Sequence, residues 1–521
     1  MHEIVTLQFG SQSNYLGTHF WNTQESYFTY PPEPESAVNH DIHFRAGIAP
    51  DGSDTFTPRA LIYDLKGAFG SMRKINALYE AEDDRSILDQ TGVWPSKPII
   101  QKAAPIPQST YQQHLDAGLE PPQLSTSTVK YWSDYSRVYY HPKSIVQLSE
   151  FDVNDKLMPF ESWDVGMDLF EKLEREVDLV DRDLRPFVEE CDGLQSLQIM
   201  TGVDDAWGGW ASGWIERLRD EYGKLSIWTW GLGDQGGNTA VPREKRLQQI
   251  VNSSRSLQPL AEQSSVYIPI SNRPAKVPDY LSFDPTSAWH VSALQAIGVE
   301  SMTLSSRLRT SNGRHGTLQD IEDTINSTGK RRIAKFEMSV ADPDIRSEKT
   351  TEEMVRARKM GSTGSRRTSE SEANLSSFDF DAFTRDYRVA SHKGGKRDHI
   401  FARAEACRGA WNLSDDAGHS PRDRFGDGPG LQRYTAPLLF PALDSFPSIF
   451  DVGTGRTEKF AVHAGLTTST AVAAQVRAIE QIVKRLVAVD EREALCNGLQ
   501  VIAEEYDEGW DGDFTDSDDD D

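Results

Sequence analysis

The sequence predicts an α/β fold, and three observations predict it. The chain opens with an apolar run from Ile4 to Phe9 that meets Gly10 and a polar loop, and then the first turn of a helix. A buried strand that turns through glycine into a helix is the arrangement that presents backbone N–H groups to an anion. Strand-like and helix-like segments then alternate as far as Trp230, which argues for helices layered on a sheet rather than a helical bundle. Finally, 521 residues are more than one core usually serves, so two or three packed subdomains are expected.

Composition narrows the function classes. Charged residues make up 26% and apolar ones 37%, ordinary values for a globular chain. No window approaches the roughly 18 consecutive apolar residues that cross a bilayer, so no transmembrane segment is expected and any membrane contact is peripheral. The N-terminus carries Glu3 inside its strand and shows neither a basic amphipathic presequence nor a signal-peptide pattern. Cys191, Cys407 and Cys496 lie far apart and form no pair motif, which fits a reduced compartment. A formal charge of −25 argues against a general phosphate-binding surface, and no direct nucleic-acid binding is expected.

The elements follow in order. Ala60 to Asp64 reads as a strand that ends in an acidic residue and a glycine-bearing turn, where loops of an open α/β sheet meet ligands. Residues 97–128 carry Pro98, Pro107, Pro121 and Pro122 among polar residues and read as a loop or link. Tyr131 to Tyr135 is aromatic enough to be packed. Between Glu161 and Glu190 apolar residues recur at Val165, Leu169, Leu173, Val177, Val180, Leu184 and Val188, a helical spacing with Pro186 as its bend or end. Leu194 to Met200 reads as a strand, Ser212 to Tyr222 as a helix, and Leu225 to Trp230 as a strand followed by a loop containing Gly231, Gly233, Gly236 and Gly237. Residues 343–380 are rich in charge, Ser and Thr and read as an exposed, disordered insertion. Thr467 to Val501 is expected to be helical and packed on the core. From Glu504 the tail holds 11 acidic and no basic side chains, so self-repulsion should extend it.

These pieces also resemble tubulin, in tubulin's order. The opening strand, Gly10 loop and helix, Arg59-Ala60 with Asp64-Leu65, Tyr140-His141-Pro142, Cys191 to Gln195, Ile215 to Leu218 with Glu221 to Lys224, and Val251 to Ser264 followed by Ile270-Ser271-Asn272 are each similar to a tubulin segment. Weaker echoes occur at Arg408-Gly409 and in the 467–501 region. The aromatic segment near Tyr131 and the long Ser/Arg insertion resemble the Misato/Dml branch of that superfamily. The resemblance implies a tubulin-like α/β fold: a Rossmann-like N-terminal region, a second α/β subdomain and C-terminal helices. It divides the chain into a Misato-type segment at 1–125, a tubulin-like continuation at 126–342, the insertion at 343–380, a C-terminal tubulin-like region at 381–503 and the tail at 504–521.

Where the chain departs from tubulin, it departs at the phosphates. The resemblance implies nucleotide-site remnants at Gly10, Ser11, Gln12, Asn14, Asp64 and Asn272, which are open to two readings: a GTP site with magnesium, or an inherited structural turn. The loop that should cradle phosphates with small residues reads Val203-Asp204-Asp205-Ala206-Trp207-Gly208-Gly209, placing two carboxylates and an indole against the anion. A second loop reads Met158-Pro-Phe-Glu-Ser-Trp163, and Lys66 stands where a carboxylate helps organise magnesium in one tubulin type. Asp279 and Asp284 read as surface residues rather than a hydrolytic carboxylate, so no catalytic residue is expected. His141, His290, His392 and His399 have no metal-ligand spacing, and no metal site is expected. Trp207, Trp210, Trp214, Trp228 and Trp230 either fill the vacated site or form a partner patch.

The family resemblance implies a non-enzymatic factor in mitochondrial partitioning and mitochondrial DNA inheritance, located at the mitochondrion, on its outer surface, and in the cytoplasm. The implied partners are proteins: mitochondrial-surface, cytoskeletal or chaperonin components, with no cofactor required. The alternative it leaves open is a divergent GTP-binding protein or GTPase that assists cytoskeletal or spindle assembly.

Overall fold

Glu3–Phe9 (β1) is buried along its whole length and ends at Gly10, whose φ of 87° lies outside the usual range of residues with a side chain. Helix α1 (Ser11–Glu25) starts at the next residue, with no intervening loop. The computed structural model describes residues 2–30, 34–48, 52–74, 76, 106–234, 241–274, 277–309, 315–341, 378–382, 398–409, 430–450, 459–487 and 489–507. After a small antiparallel pair, β2 (Phe44–Ile48) and β3 (Asp54–Pro58), come β4 (Ala60–Lys66), β5 (Ile145–Asp152), β6 (Leu194–Gly202), β7 (Ser226–Gly233) and β8 (Val266–Ser271). Together with β1 they form one parallel sheet in the order β5-β4-β1-β6-β7-β8, drawing strands from both sides of residue 125.

Both faces of this sheet are covered, as a parallel sheet requires. On one face Val5, Leu7 and Phe9 pack with helices α2 (Trp163–Val177), α3 (Ala206–Glu221) and α4 (Arg243–Gln263). On the other, Ile4, Ile62, Trp228 and Trp230 pack with α1, α5 (Ala288–Thr303) and α6 (Leu318–Ile325). Helix α5 is apolar and buried nearly all round, as a helix enclosed between layers must be.

The second sheet, among the described residues, runs β10-β9-β14-β11-β12, from β9 (Lys335–Ala341), β10 (Phe380–Asp381), β11 (Ile400–Arg408), β12 (Gly430–Ala436) and β14 (Lys459–Ser469), with β13 (Phe440–Pro441) beside β14. Phe336 of β9 packs against Gly298 of α5, where a Cβ would stand 1.9 Å from the ring. Helices α7 (Ala471–Leu486) and α8 (Val489–Glu505) close the chain against the first core. No helix among the described residues is long and apolar enough to cross a membrane.

Several expected boundaries move. The helix expected over 161–190 ends at Val177, because Asp178 takes a left-handed φ of 48°; a π turn and a short helix at Arg185–Val188 follow, with Pro186 inside the new first turn. Strand β7 runs through Gly231 and Gly233 instead of ending before them, and the Tyr267 ring covers Gly231 closely enough that a Cβ would meet its oxygen at 2.6 Å. Thr467 to Ser469 belong to β14, and the helical region beyond is two helices. A short helix, Thr110–Asp116, interrupts the expected 97–128 loop. Phe378 to Phe380, at the end of the expected insertion, are ordered on the second sheet, while 343–377 lie outside the described residues. Tyr506, placed in the extended tail by its sequence, is fully buried and pairs through its hydroxyl with the backbone of Ile333. The tail from residue 508, including Ser517, lies outside the described residues, as do Gly236, Gly237 and His392.

Candidate functional site

The C-terminal ends of β1, β4, β6, β7 and β8 converge on the position where an open α/β sheet receives its ligand. Asp64, at the end of β4, is buried, and its Oδ2 accepts hydrogen bonds from Asn14 Nδ2 at 2.8 Å, Ser11 Oγ at 3.1 Å and Trp132 Nε1 at 3.2 Å. Its Oδ1 accepts from the Leu65 N–H at 2.9 Å. Burial pushes this carboxyl up to about 6, against the pull of those four donors. The Trp132 contact was not legible in the sequence: the indole comes from the aromatic segment 68 positions on, and only the fold brings it to Asp64.

Gln12 and Asn272 meet directly, Gln12 Nε2 donating to Asn272 Oδ1, and Gln295 Nε2 of α5 donates to the same oxygen at 2.9 Å. Five of the six remnant residues thus fall into two small networks, Ser11-Asn14-Asp64 and Gln12-Asn272, on either side of the first turn of α1. The Gly10 N–H is committed to the sheet, donating to the Tyr63 carbonyl at 3.0 Å.

The loop after β6 is short, and α3 begins earlier than its sequence implied. Asp205 caps the helix, its Oδ1 accepting from the Trp207 N–H at 2.9 Å. Asp204 Oδ2 accepts from the Asp234 N–H at 2.8 Å. Burial, and then the neighbouring Asp204 carboxylate, raise the Asp205 carboxyl above the usual range. Gly208 and Gly209 lie inside the helix, where they allow close packing: a Cβ would stand 2.2 Å from Ser256 Oγ and 1.9 Å from the Trp163 carbonyl respectively. They are packing glycines, not an anion cradle.

Trp207 occupies the space over the first loop. A Cβ on Gly10 would stand 2.5 Å from its Nε1, so the indole lies directly against the Gly10 backbone. Phe160, from the altered second loop, packs against Trp207 with ring centroids 5.1 Å apart. Trp210 and Trp214 fill the core behind, against Tyr63, Phe9 and Phe170, while Trp228 and Trp230 sit on the opposite face of the sheet. All five are buried, and Trp207 is the one at the phosphate end.

Beside it opens a cleft of about 230 Å³ whose wall includes Phe160, Glu161, Asp204, Asp205, Lys245 and Asn252. Lys245 Nζ pairs with Glu161 at 2.7 Å. Asn252 ties the walls together, donating to the carbonyls of Glu161 at 2.7 Å and Asp204 at 3.1 Å. Lys66 is exposed, Asp279 is exposed, and Asp284 is bound to the Thr286 N–H and hydroxyl. His141 accepts from the Lys143 N–H, His290 from the Asp284 N–H. Among the described residues no three His, Cys, Asp or Glu side chains are arranged to hold a metal ion.

Known proteins bear on this frame. A tubulin domain model matches residues 121–308, and a Misato Segment II tubulin-like domain model matches residues 2–117. Protein DML1 of Phaeosphaeria nodorum is 77% identical over 522 residues, covering all of both chains. Protein dml1 of Aspergillus clavatus is 44% identical over 528 residues, covering 99% of this chain and all of its own, and protein dml-1 of Neurospora crassa is 42% identical over the full length of both. The two tubulin-like domain models that match it, and relatives that match it end to end, make the chain a member of the Misato/DML1 family of tubulin-like proteins.

Proposed function

We infer that this protein is a non-enzymatic, tubulin-derived factor that supports mitochondrial partitioning and mitochondrial DNA inheritance, acting at the mitochondrial surface and in the cytoplasm through protein partners. The observation that carries the non-enzymatic part is the Trp207 indole against Gly10. A phosphate needs close approach to backbone N–H groups, and here the approach is filled and the Gly10 N–H is paired with Tyr63. Asp204 adds like charge where a triphosphate would gather negative charge, and the raised Asp205 carboxyl beside it supplies no compensating cation. The residues present therefore fit GTP and magnesium poorly, and no hydrolytic step is derived through them. The mitochondrial part is what membership of this family implies.

Calorimetry on natively purified protein, with and without magnesium, tests the reading, together with analysis of any nucleotide that copurifies. No copurifying nucleotide and no saturable GTP heat are expected. Tight stoichiometric binding lost in Asn14→Ala would overturn it in favour of a GTP-binding assembly cofactor, since Asn14 holds Asp64. Depletion in cells, scored by mitochondrial distribution and mitochondrial DNA content, tests the role itself; unchanged values for both would remove it.

A further inference from the structure

Residues 378–382 form a strap across the junction of the two sheets. Tyr267 of β8 hydrogen-bonds the segment that leads into β9, its N–H donating to the Arg332 carbonyl at 2.8 Å and its carbonyl accepting from the Ala334 N–H at 3.0 Å. Farther along, the strap lies between them: the Ala382 N–H donates to the Phe336 carbonyl at 3.1 Å, and the Ala382 carbonyl accepts from the Ser271 N–H at 2.8 Å. Phe380 and Asp381 pair antiparallel with Met338 and Glu337. Without the strap β9 would be an edge strand, with unpaired backbone groups that template another strand.

Two paired residues supply little backbone energy, so side chains must fix the strap. Phe378 lies against His463 at 4.7 Å, with the Arg403 guanidinium 5.2 Å from its ring centroid. The notch exists because position 465 is glycine; a Cβ there would stand 2.6 Å from the Phe378 ring. Phe380 is buried in the core, Asp381 pairs with Lys335 at 2.9 Å, and the Asp379 N–H donates to Ser339 Oγ at 3.0 Å.

The notch is built by the sheet and not by the strap. Arg403 Nε is held by Thr467 Oγ1 at 2.9 Å, His463 by Glu405 at 3.3 Å, and Glu405 by Arg433 at 2.7 Å. These walls belong to β11, β12 and β14, so they are pre-organised for whatever segment lies over them. Adding an extended segment to a sheet edge, with side-chain pockets for specificity, is a general mode of peptide recognition.

We propose that the β9 edge, with the Gly465 notch and the Lys335 ammonium, is a recognition groove for an extended Phe-x-Phe-Asp segment, held in cis by residues 378–382 and exchangeable for such a segment on a protein partner. Ser271 immediately precedes Asn272, so exchange acts on the strand end that carries one of the remnant networks.

The test uses the full chain and a fluorescein-labelled peptide of residues 374–384, followed by fluorescence anisotropy. A segment tethered in cis has an effective concentration on the order of millimolar, so it should suppress a micromolar peptide in trans by roughly 100-fold or more. Saturable binding to the Phe378→Ala, Phe380→Ala chain is expected, weakened about 100-fold in the natural chain and lost when Gly465→Ala is added. Phe378→Ser alone, at a half-buried position, serves if the double variant does not fold by circular dichroism. No binding to a folded loosened chain, equal binding to the natural one, or binding that survives Gly465→Ala would each overturn the proposal. Concentration-dependent strap exchange between two copies, seen as a dimer of the natural chain, would assign the groove to a second copy and overturn the partner.

Discussion

At the phosphate end of the first sheet Asp64 is buried among Ser11, Asn14, Trp132 and the Leu65 N–H, donors that carry no charge, whereas Glu300 is buried between two guanidinium groups. Glu300 Oε1 accepts from Arg307 Nη2 at 2.8 Å and from the Tyr27 hydroxyl at 3.0 Å; Arg408 contacts Oε2 and donates to the Tyr27 hydroxyl at 2.8 Å. Burial raises both carboxyls, but at Glu300 Arg408 and Arg307 outweigh it and hold the group below the usual range. The contrast separates two uses of a buried carboxylate. Glu300 of α5 is a strut that ties Tyr27, just past α1, to Arg408 of β11 through charged donors, and Asp64 is an incompletely compensated group in an inherited site.

Removing one partner of the strut is the strongest way to break this contrast. Arg408→Ala leaves Glu300 buried with one guanidinium, and a loss of about 3 to 5 kcal/mol is expected in urea unfolding. A loss below about 1 kcal/mol would mean that Arg307 and Tyr27 suffice.

A smaller effect is expected from pH at Asp64. Its carboxyl ordinarily titrates at 3.8 and in the fold at about 6, so between those values the folded state holds a proton that the unfolded chain has released. Stability from this group is complete below about pH 4 and is lost as pH rises through about 6, a cost on the order of 2 to 3 kcal/mol. The urea midpoint of Asp64→Asn should therefore fall less than that of the natural chain between pH 4 and pH 7. An equal fall in both would place the titration elsewhere.

Smallest is the single donor. Ser11→Ala removes the 3.1 Å hydrogen bond to Asp64 and should cost about 1 kcal/mol while moving the Asp64 carboxyl further up. Nuclear magnetic resonance titration of that carboxyl sharpens the comparison, because a purely local packing loss would leave its midpoint in place.

The opening strand and the glycine before α1 were readable because an apolar run and a glycine are local signals, but the polar residues after Gly10, expected as a loop, already form the first turn of the helix. The start of α3 was not readable. The tubulin resemblance puts Gly208 and Gly209 in the phosphate loop, and only the close approach of Ser256 and the Trp163 carbonyl shows their place in a helix. Break points mislead in the same way: Pro186 is the local break signal, but the helix ends where Asp178 takes a left-handed conformation.

The sequence by itself determined the α/β class, the tubulin-like order of segments and the loss of a small-residue phosphate loop, because each is written in residues close together along the chain. Tertiary structure alone decided that Trp207 covers Gly10, that Trp132 reaches Asp64, that Arg408 and Arg307 share Glu300, and that residues 378–382 join the two sheets. Each of these joins side chains or strands that are distant in sequence, and their energy depends on burial and on the charge of neighbours that only the folded chain supplies.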